Sequence, residues 1–364
     1  MEELKPLWIK EISPHEPRLF QKRIEISGQC EEKFLSDLRK SNGFQSPTNQ
    51  LEALYLKQAC QFLRGQWDLP LLDLDNNHNN VFADLWLPIR DWSLDHLRQK
   101  CTEKIRNLSV ADEAWQDLAD GLLKRLCFIG KNALWETFNQ SRSPGVFLLA
   151  HVQLSVTSSS PASGRDYYKD FIQINRKDGL QKLFCDYPVL SHFVGVAIRQ
   201  WIQSNFEMLA RIAIDRSALE QQLELPCDCV LSHVVQNLGD PHRDGRSVAE
   251  LHFGQPDGAQ YQKLIYKPKD LSLDAIYSDL VTQLNRDSQL DPLKALRVVS
   301  KDGYGYTEYV RHEFCSDSEE LEVFYFNAGR LLAILYLLGS TDCHHENLIA
   351  SGKQLLLIDT ETLF

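Results

Sequence analysis

The chain has no stretch approaching the ~18 uninterrupted apolar residues of a membrane-spanning helix, and Met1 to Pro6 lack the positive region and apolar core of a secretory signal. It also has no run of Lys and Arg, and its formal net charge is -11. Neutralising phosphates takes a net basic face, so this balance argues against a general nucleic-acid binder. The expected location is the cytoplasm. Its nine cysteines are unevenly spaced and do not form the dense pattern of a secreted disulfide scaffold, so reduced thiols are expected. Cys227 and Cys229, with His233 nearby, resemble half of a zinc site but have no second spaced pair; buried structural thiols are the expected reading. No internal repeat is visible, and no G-x-G-x-x-G loop.

What is present is an ordinary globular composition, 43% hydrophobic and 24% charged, on 364 residues that can bury one large core or two. Residues 1–228 read mainly as helices, one around Leu51, Leu54, Leu56 and Phe62, another around Phe171, Ile174, Leu180, Leu183 and Phe184. Ser155 to Gly164, rich in Ser with Pro and Gly, reads as a loop. From Cys229 the pattern changes. Ser247 to Phe253 alternates, with Ala249, Leu251 and Phe253 on one face, and a turn at Pro256, Asp257 and Gly258 returns the chain along Gln260 to Lys267, where Pro268 stops the strand. A helix carrying Ile276, Leu280 and Leu284 follows, then strand-like segments at Ala295 to Ser300 and from Tyr304. The clearest helix opens with a capping box at Ser316 and Glu319, with Asp317 and Glu320 adding negative charge there. It buries Phe324, Ala328, Leu331, Leu335 and Leu338, and ends at Gly339. The fold class expected is α+β, a helical region over 1–228 and a sheet-containing region over 229–364.

That last helix feeds the most informative segment. Asp342 is followed five residues on by Asn347, and twelve further on an apolar strand, Leu355 to Ile358, delivers Asp359. An acid that orients a hydroxyl, an amide and a second acid that hold a metal, and a short hairpin between them is the order of a phosphotransferase site. Asn347 to Ala350 and Gln354 to Ile358, flanking Ser351, Gly352 and Lys353, read as that hairpin. Lys267, at the end of its strand, stands where a phosphate-pairing lysine belongs, and Glu308 is a candidate partner for it. The Asp240 to Gly245 turn is a poor phosphate cradle by itself.

Taken together, Gly239 to Val248, Leu264 to Lys269, Tyr304 to Glu308, Gly339 to Ala350 and Ile358 to Phe364 resemble the N-terminal dehydratase region of class II lanthipeptide synthetases, the LanM type. Asp186 to Leu190 and Trp201 to Arg216 also fit, so the resemblance is close over 165–364 and loose before it. It implies a partial kinase-like fold related to lipid kinases, with ATP and Mg2+ as cofactors. It also implies phosphorylation of Ser and Thr in a precursor peptide, leader and core, followed by phosphate elimination to dehydroamino acids. Lys267 would hold nucleotide phosphates, Asp342, His344 and Asn347 would form the catalytic loop, Asn347 and Asp359 would bind magnesium, and Asp240 and His242 would serve elimination. The family continues past the metal Asp into an activation segment and a zinc-dependent cyclase. The expected picture is therefore a dehydratase shortened as a truncated product, a fragment or half of a split enzyme, with the remainder of the synthetase as a partner. Two other readings stay open: a small-molecule or lipid kinase sharing the same loop, and a non-catalytic module that binds a leader peptide.

Overall fold

The structure, a computed structural model, describes residues 47–66, 69–70, 81–141, 164–239, 243–254 and 261–363. Asp240, His242, the turn at Pro256 to Gly258 and most of the Ser155 to Gly164 stretch lie outside the described residues. The chain divides into two compact units, Met1–Glu103 with Ala119–Phe206, and Lys104–Leu118 with Glu207–Phe364.

The first unit is helical where described, built from α1 (Pro47–Gly65), most of α2 (Ala83–Lys104) and α3 (Asp112–Ser141), α4 (Gly164–Asp178), α5 (Gln181–Asp186) and the first part of α6 (Pro188–Ile214). Pro188 opens α6 at the first helical position, where a missing N–H has no helical partner to lose. Phe82, Phe138, Tyr168 and Phe171 form one aromatic cluster, with the Phe138 and Phe171 ring centroids 5.2 Å apart at 70°. Such edge contacts add about 0.5–1.5 kcal/mol per pair to the burial itself. The apolar residues that suggested α1 lie mostly off its inner face: Leu51 and Leu54 are exposed and Leu56 and Phe62 half-buried, whereas Glu52, Ala59 and Leu63 are buried. Glu52 tolerates this because Arg199 Nε donates to its Oε1 at 2.8 Å. Among the described residues no helix is long and apolar enough to cross a membrane.

In the second unit, α7 (Arg216–Leu223) precedes five strands, β1 (Val230–Gln236), β2 (Ala249–Gly254), β3 (Tyr261–Lys267), β4 (Val298–Lys301) and β5 (Tyr304–Glu308). They form one antiparallel sheet in the order β1-β2-β3-β5-β4. The alternation read in the sequence sets its inner face, since Ala249, Leu251, Phe253, Leu264 and Tyr266 are all buried. Helix α8 (Ser272–Asp287) connects β3 to β4 and turns Asp274, Tyr277 and Val281 inward, while Ile276 and Leu284 are exposed. The mixed helix and antiparallel sheet is α+β, as expected.

Helix α9 (Ser318–Leu337) starts one residue later than its capping box suggested. Asp317 is the cap, its side chain accepting from Glu320 N at 2.8 Å, and Glu320 reaches back to Ser316 N at 2.8 Å. At the other end Gly339, at φ 68°, donates to Tyr336 O, and Ser340 N donates to Leu335 O at 3.0 Å. This is the two-bond closure for which a glycine in the left-handed region is favoured. Of the expected stripe Leu331 and Leu335 are buried while Phe324, Ala328 and Leu338 are only half-buried; Tyr325, Leu332, Tyr336 and Leu337 are exposed. A two-stranded antiparallel hairpin, β6 (Leu348–Ser351) and β7 (Gln354–Leu357), follows.

One cluster joins these pieces. Tyr277 and Val281 of α8, Leu331 and Leu335 of α9, Leu357 of β7, Leu293 and Leu363 are buried together, with Cys343 and Leu348 packed against them. Each of those leucines, once fully buried, contributes about 1.5–3 kcal/mol. Because the cluster holds Cys343 and Leu348 on one side and Leu357 and Leu363 on the other, it fixes the two short segments between them, 344–347 and 358–362.

Candidate functional site

Those two segments carry most of the singled-out polar residues. In the first, a 3-10 turn at His345–Asn347 is preceded by His344 in extended conformation. Glu346 N donates to His344 Nδ1 at 3.2 Å, so the neutral ring carries its proton on Nε2, which lies 3.3 Å from Asp342 Oδ1. Asn347 Nδ2 donates to Asp342 O at 2.9 Å and approaches Asp342 Oδ2 at 3.4 Å, leaving Oδ1 as the amide oxygen that can face a cation. Asp342, His344 and Asn347 are thus one connected group at the surface, with Asp342 and His344 both exposed.

The second segment meets the first through Ile358. Its N–H donates to Asn347 O at 2.9 Å, continuing the β6-β7 register, and its carbonyl accepts from Lys267 Nζ. Lys267, Asn347 and Asp359 are therefore brought to one corner although they are far apart in sequence. Lys267 is buried at the end of β3, with Nζ 3.4 Å from Asp274 Oδ1. Asp274, also buried, accepts from Thr360 Oγ1 at 2.9 Å through its other oxygen. The carboxylate beside Lys267 is thus Asp274 of α8 and not Glu308, which instead accepts from Arg297 N at 2.8 Å. Glu308 also lies 3.6 Å from the Arg297 guanidinium.

Asp359 is bound by a residue the sequence reading passed over as a possible participant. Lys269 Nζ donates to Oδ1 and to Oδ2 of Asp359, both at 2.9 Å, and to Glu361 Oε1 at 2.7 Å. Burial pushes the Asp359 carboxyl up, but the Lys269 hydrogen bonds and charge, with the Glu361 N–H and the Lys267 charge, outweigh it and hold the group below its ordinary value. Burial likewise lowers Lys269, and its bonds to Glu361 and Asp359 more than offset that, leaving it above its ordinary value. Thr360 and Thr362 are further ties: Thr362 Oγ1 accepts from Asp342 N at 3.2 Å. The visible signals for these were the spacing of Lys267 and Lys269 around Pro268, and the alternating threonines after Asp359.

Among the described residues no group of three or more His, Cys, Asp and Glu side chains is disposed to hold a metal ion. Cys229 is buried, accepting from Arg216 Nη2 at 3.1 Å, Cys227 is exposed, and His233 pairs with Asp117 at 3.0 Å. The expectation of a buried structural thiol holds for Cys229 and not for Cys227. At the corner stand one carboxylate and one amide oxygen, both hard donors of the kind magnesium takes. That ion is commonly held by one or two carboxylates with phosphates and waters completing its shell.

Comparison with known proteins gives two matches. A family model described as a domain of unknown function, DUF4135, matches residues 187–364. The lacticin 481/lactococcin biosynthesis protein LcnDR2 of Lactococcus lactis subsp. lactis is 31% identical over 171 residues, 45% of this chain. The aligned part is 17% of that protein's length. By these matches part of the chain is similar to class II lanthipeptide synthetases.

Proposed function

We propose that this chain provides the nucleotide- and metal-handling part of a lanthipeptide dehydratase with a kinase-like fold, which phosphorylates Ser and Thr of a precursor peptide from ATP before phosphate is eliminated. The observation that carries the reading is Ile358. Its two backbone groups tie Asn347 to one side and Lys267 to the other of the residue preceding Asp359. Phosphoryl transfer depends on positioning and charge neutralisation more than on covalent chemistry by the protein. Magnesium bound there would neutralise phosphate oxygens. Asn347 and Asp359 would hold it through hard oxygens, and Lys267, kept in place by Asp274 and the Ile358 carbonyl, would present a fixed positive charge. Asp342, accepting from Asn347 Nδ2 and with His344 Nε2 3.3 Å from its Oδ1, is the exposed acid suited to orient a substrate hydroxyl. Asp240 and His242 keep their assignment to elimination by resemblance.

Calorimetric titration tests the first step. The chain should bind ATP with Mg2+ and not with a chelator present, and Asp359→Asn should weaken binding at least tenfold while the exposed Asp279→Asn leaves it unchanged. Equal, magnesium-independent binding by all three proteins would refute the site. A precursor peptide incubated with ATP and Mg2+ should then gain phosphate mass; ATP turnover confined to small molecules or lipids would replace the peptide by another acceptor.

A further inference from the structure

Resting on that metal reading, we propose that Lys269 is a positioning residue that competes with the divalent cation for Asp359, holding the carboxylate in place and releasing it to the cation. The geometry is direct. An ammonium 2.9 Å from both oxygens lies across the open edge of the carboxylate. An ion held at about 2.1 Å by either oxygen on that edge would overlap it. The two cations therefore exclude one another there, and cation binding requires Lys269 to move.

The surroundings allow that movement for Lys269 and not for its neighbour. Lys267 is buried, tied to Asp274 and to a backbone carbonyl that belongs to the segment itself. Lys269 has a second acceptor in Glu361, 2.7 Å away, whose side chain is 59% exposed and free to follow it. An ammonium leaving Asp359 thus keeps one charge-assisted hydrogen bond, so the exchange does not strand a buried charge. The displaced charge also stays beside the corner, within the reach of a lysine stem of any phosphate bound with the cation.

Mn2+ titration followed by electron paramagnetic resonance, on the full chain without nucleotide, reads this apart from activity. Lys269→Met should bind Mn2+ at least threefold more tightly than the unsubstituted protein, and Lys269→Arg should not. Unchanged or weaker affinity in Lys269→Met overturns the inference. If that variant does not fold, the unsubstituted protein answers by acylation with an amine-reactive ester and peptide mass mapping. Mn2+ should accelerate labelling of Lys269 and leave Lys267 unlabelled, and an unchanged or slower Lys269 rate overturns the inference equally. Failures are separable by Asp359→Asn. Mn2+ binding lost in that variant but untouched by Lys269→Met removes this inference alone, whereas no binding by any protein removes the metal reading and the inference with it.

Discussion

Replacing Lys267 by Met should unfold the protein more readily for a reason independent of any nucleotide. The substitution leaves Asp274, 4% exposed, with Thr360 as its remaining hydrogen-bond partner, and it strips the Ile358 carbonyl of its donor. Breaking one side of a buried pair costs about 3–5 kcal/mol, because the surviving charge stays desolvated. Removing the charge as well, in Lys267→Met with Asp274→Asn, should recover part of that loss, with a coupling of about 2 kcal/mol between the two positions. Lys353→Met is the control. Its partner Asp291 is 3.7 Å away and both side chains are well exposed, so solvent screening should hold the change within about 0.5 kcal/mol. Urea unfolding of these variants, of Asp274→Asn alone and of the unsubstituted protein, followed by circular dichroism, gives all the values. A Lys267→Met cost no larger than that of Lys353→Met, or a strictly additive double variant, would refute the claim that Asp274 depends on Lys267. The cycle also bears on function: loss of ATP binding in a Lys267 variant identifies phosphate contact only after its stability has been subtracted.

The thiols and two glycines give further tests. Burial pushes the Cys101 and Cys127 thiols up to about 12, so at pH 8 only about one molecule in ten thousand carries either thiolate. Iodoacetamide should modify the exposed Cys185 and Cys227 first, and native-state labelling of Cys127 at the Cys227 rate, read by peptide mapping, would contradict its burial. A Cβ on Gly305 would stand 2.5 Å from Val299 O and 2.7 Å from Leu271, so Gly305→Ala should destabilise by about 1–3 kcal/mol. Gly329 in α9 meets nothing within 4 Å, and Gly329→Ala should stabilise by about 0.5–1 kcal/mol. Thermal melts that move the same way for both variants would be inconsistent with this packing.

Much of the second unit was legible because its elements bury one face each. The alternation at Ala249, Leu251 and Phe253 fixes a strand and its inner face together, and the stripe through Leu331 and Leu335 does the same for α9. Helix α8 misled for the opposite reason. Of its most regular apolar set, Ile276 and Leu284 are exposed and Leu280 is half-buried, while Asp274, Tyr277 and Val281 take the buried side. Periodicity counts apolar residues and has no means of seeing that Asp274 is turned inward by Lys267 and Thr360. The cap of α9 shifted by one residue on a similar local competition, with Asp317 taking the backbone N–H while Ser316 pairs with Glu320.

The site was legible as a spacing and not as a network. Asp342, Asn347 and Asp359 stand at intervals that a hairpin brings together, so a linear reading can find them. Lys269 and Asp359 are separated by 90 positions, and a lysine following a strand-ending proline looks like any solvated charge until the chain is folded. The folded arrangement explains the composition of the segment after β7. Ile358 serves Asn347 and Lys267, Asp359 serves Lys269, Thr360 serves Asp274, Glu361 serves Lys269 again, and Thr362 serves the Asp342 backbone. Five consecutive residues are thus tied to the end of β3, Lys269 just after it, α8 and the 342–347 segment, so the direction of Asp359 is set by all of them at once. A carboxylate that is to meet a cation, as proposed for Asp359, would need that degree of external constraint. Lys269 is the tie among them that carries a charge, reaches two acceptors and can exchange one for the other.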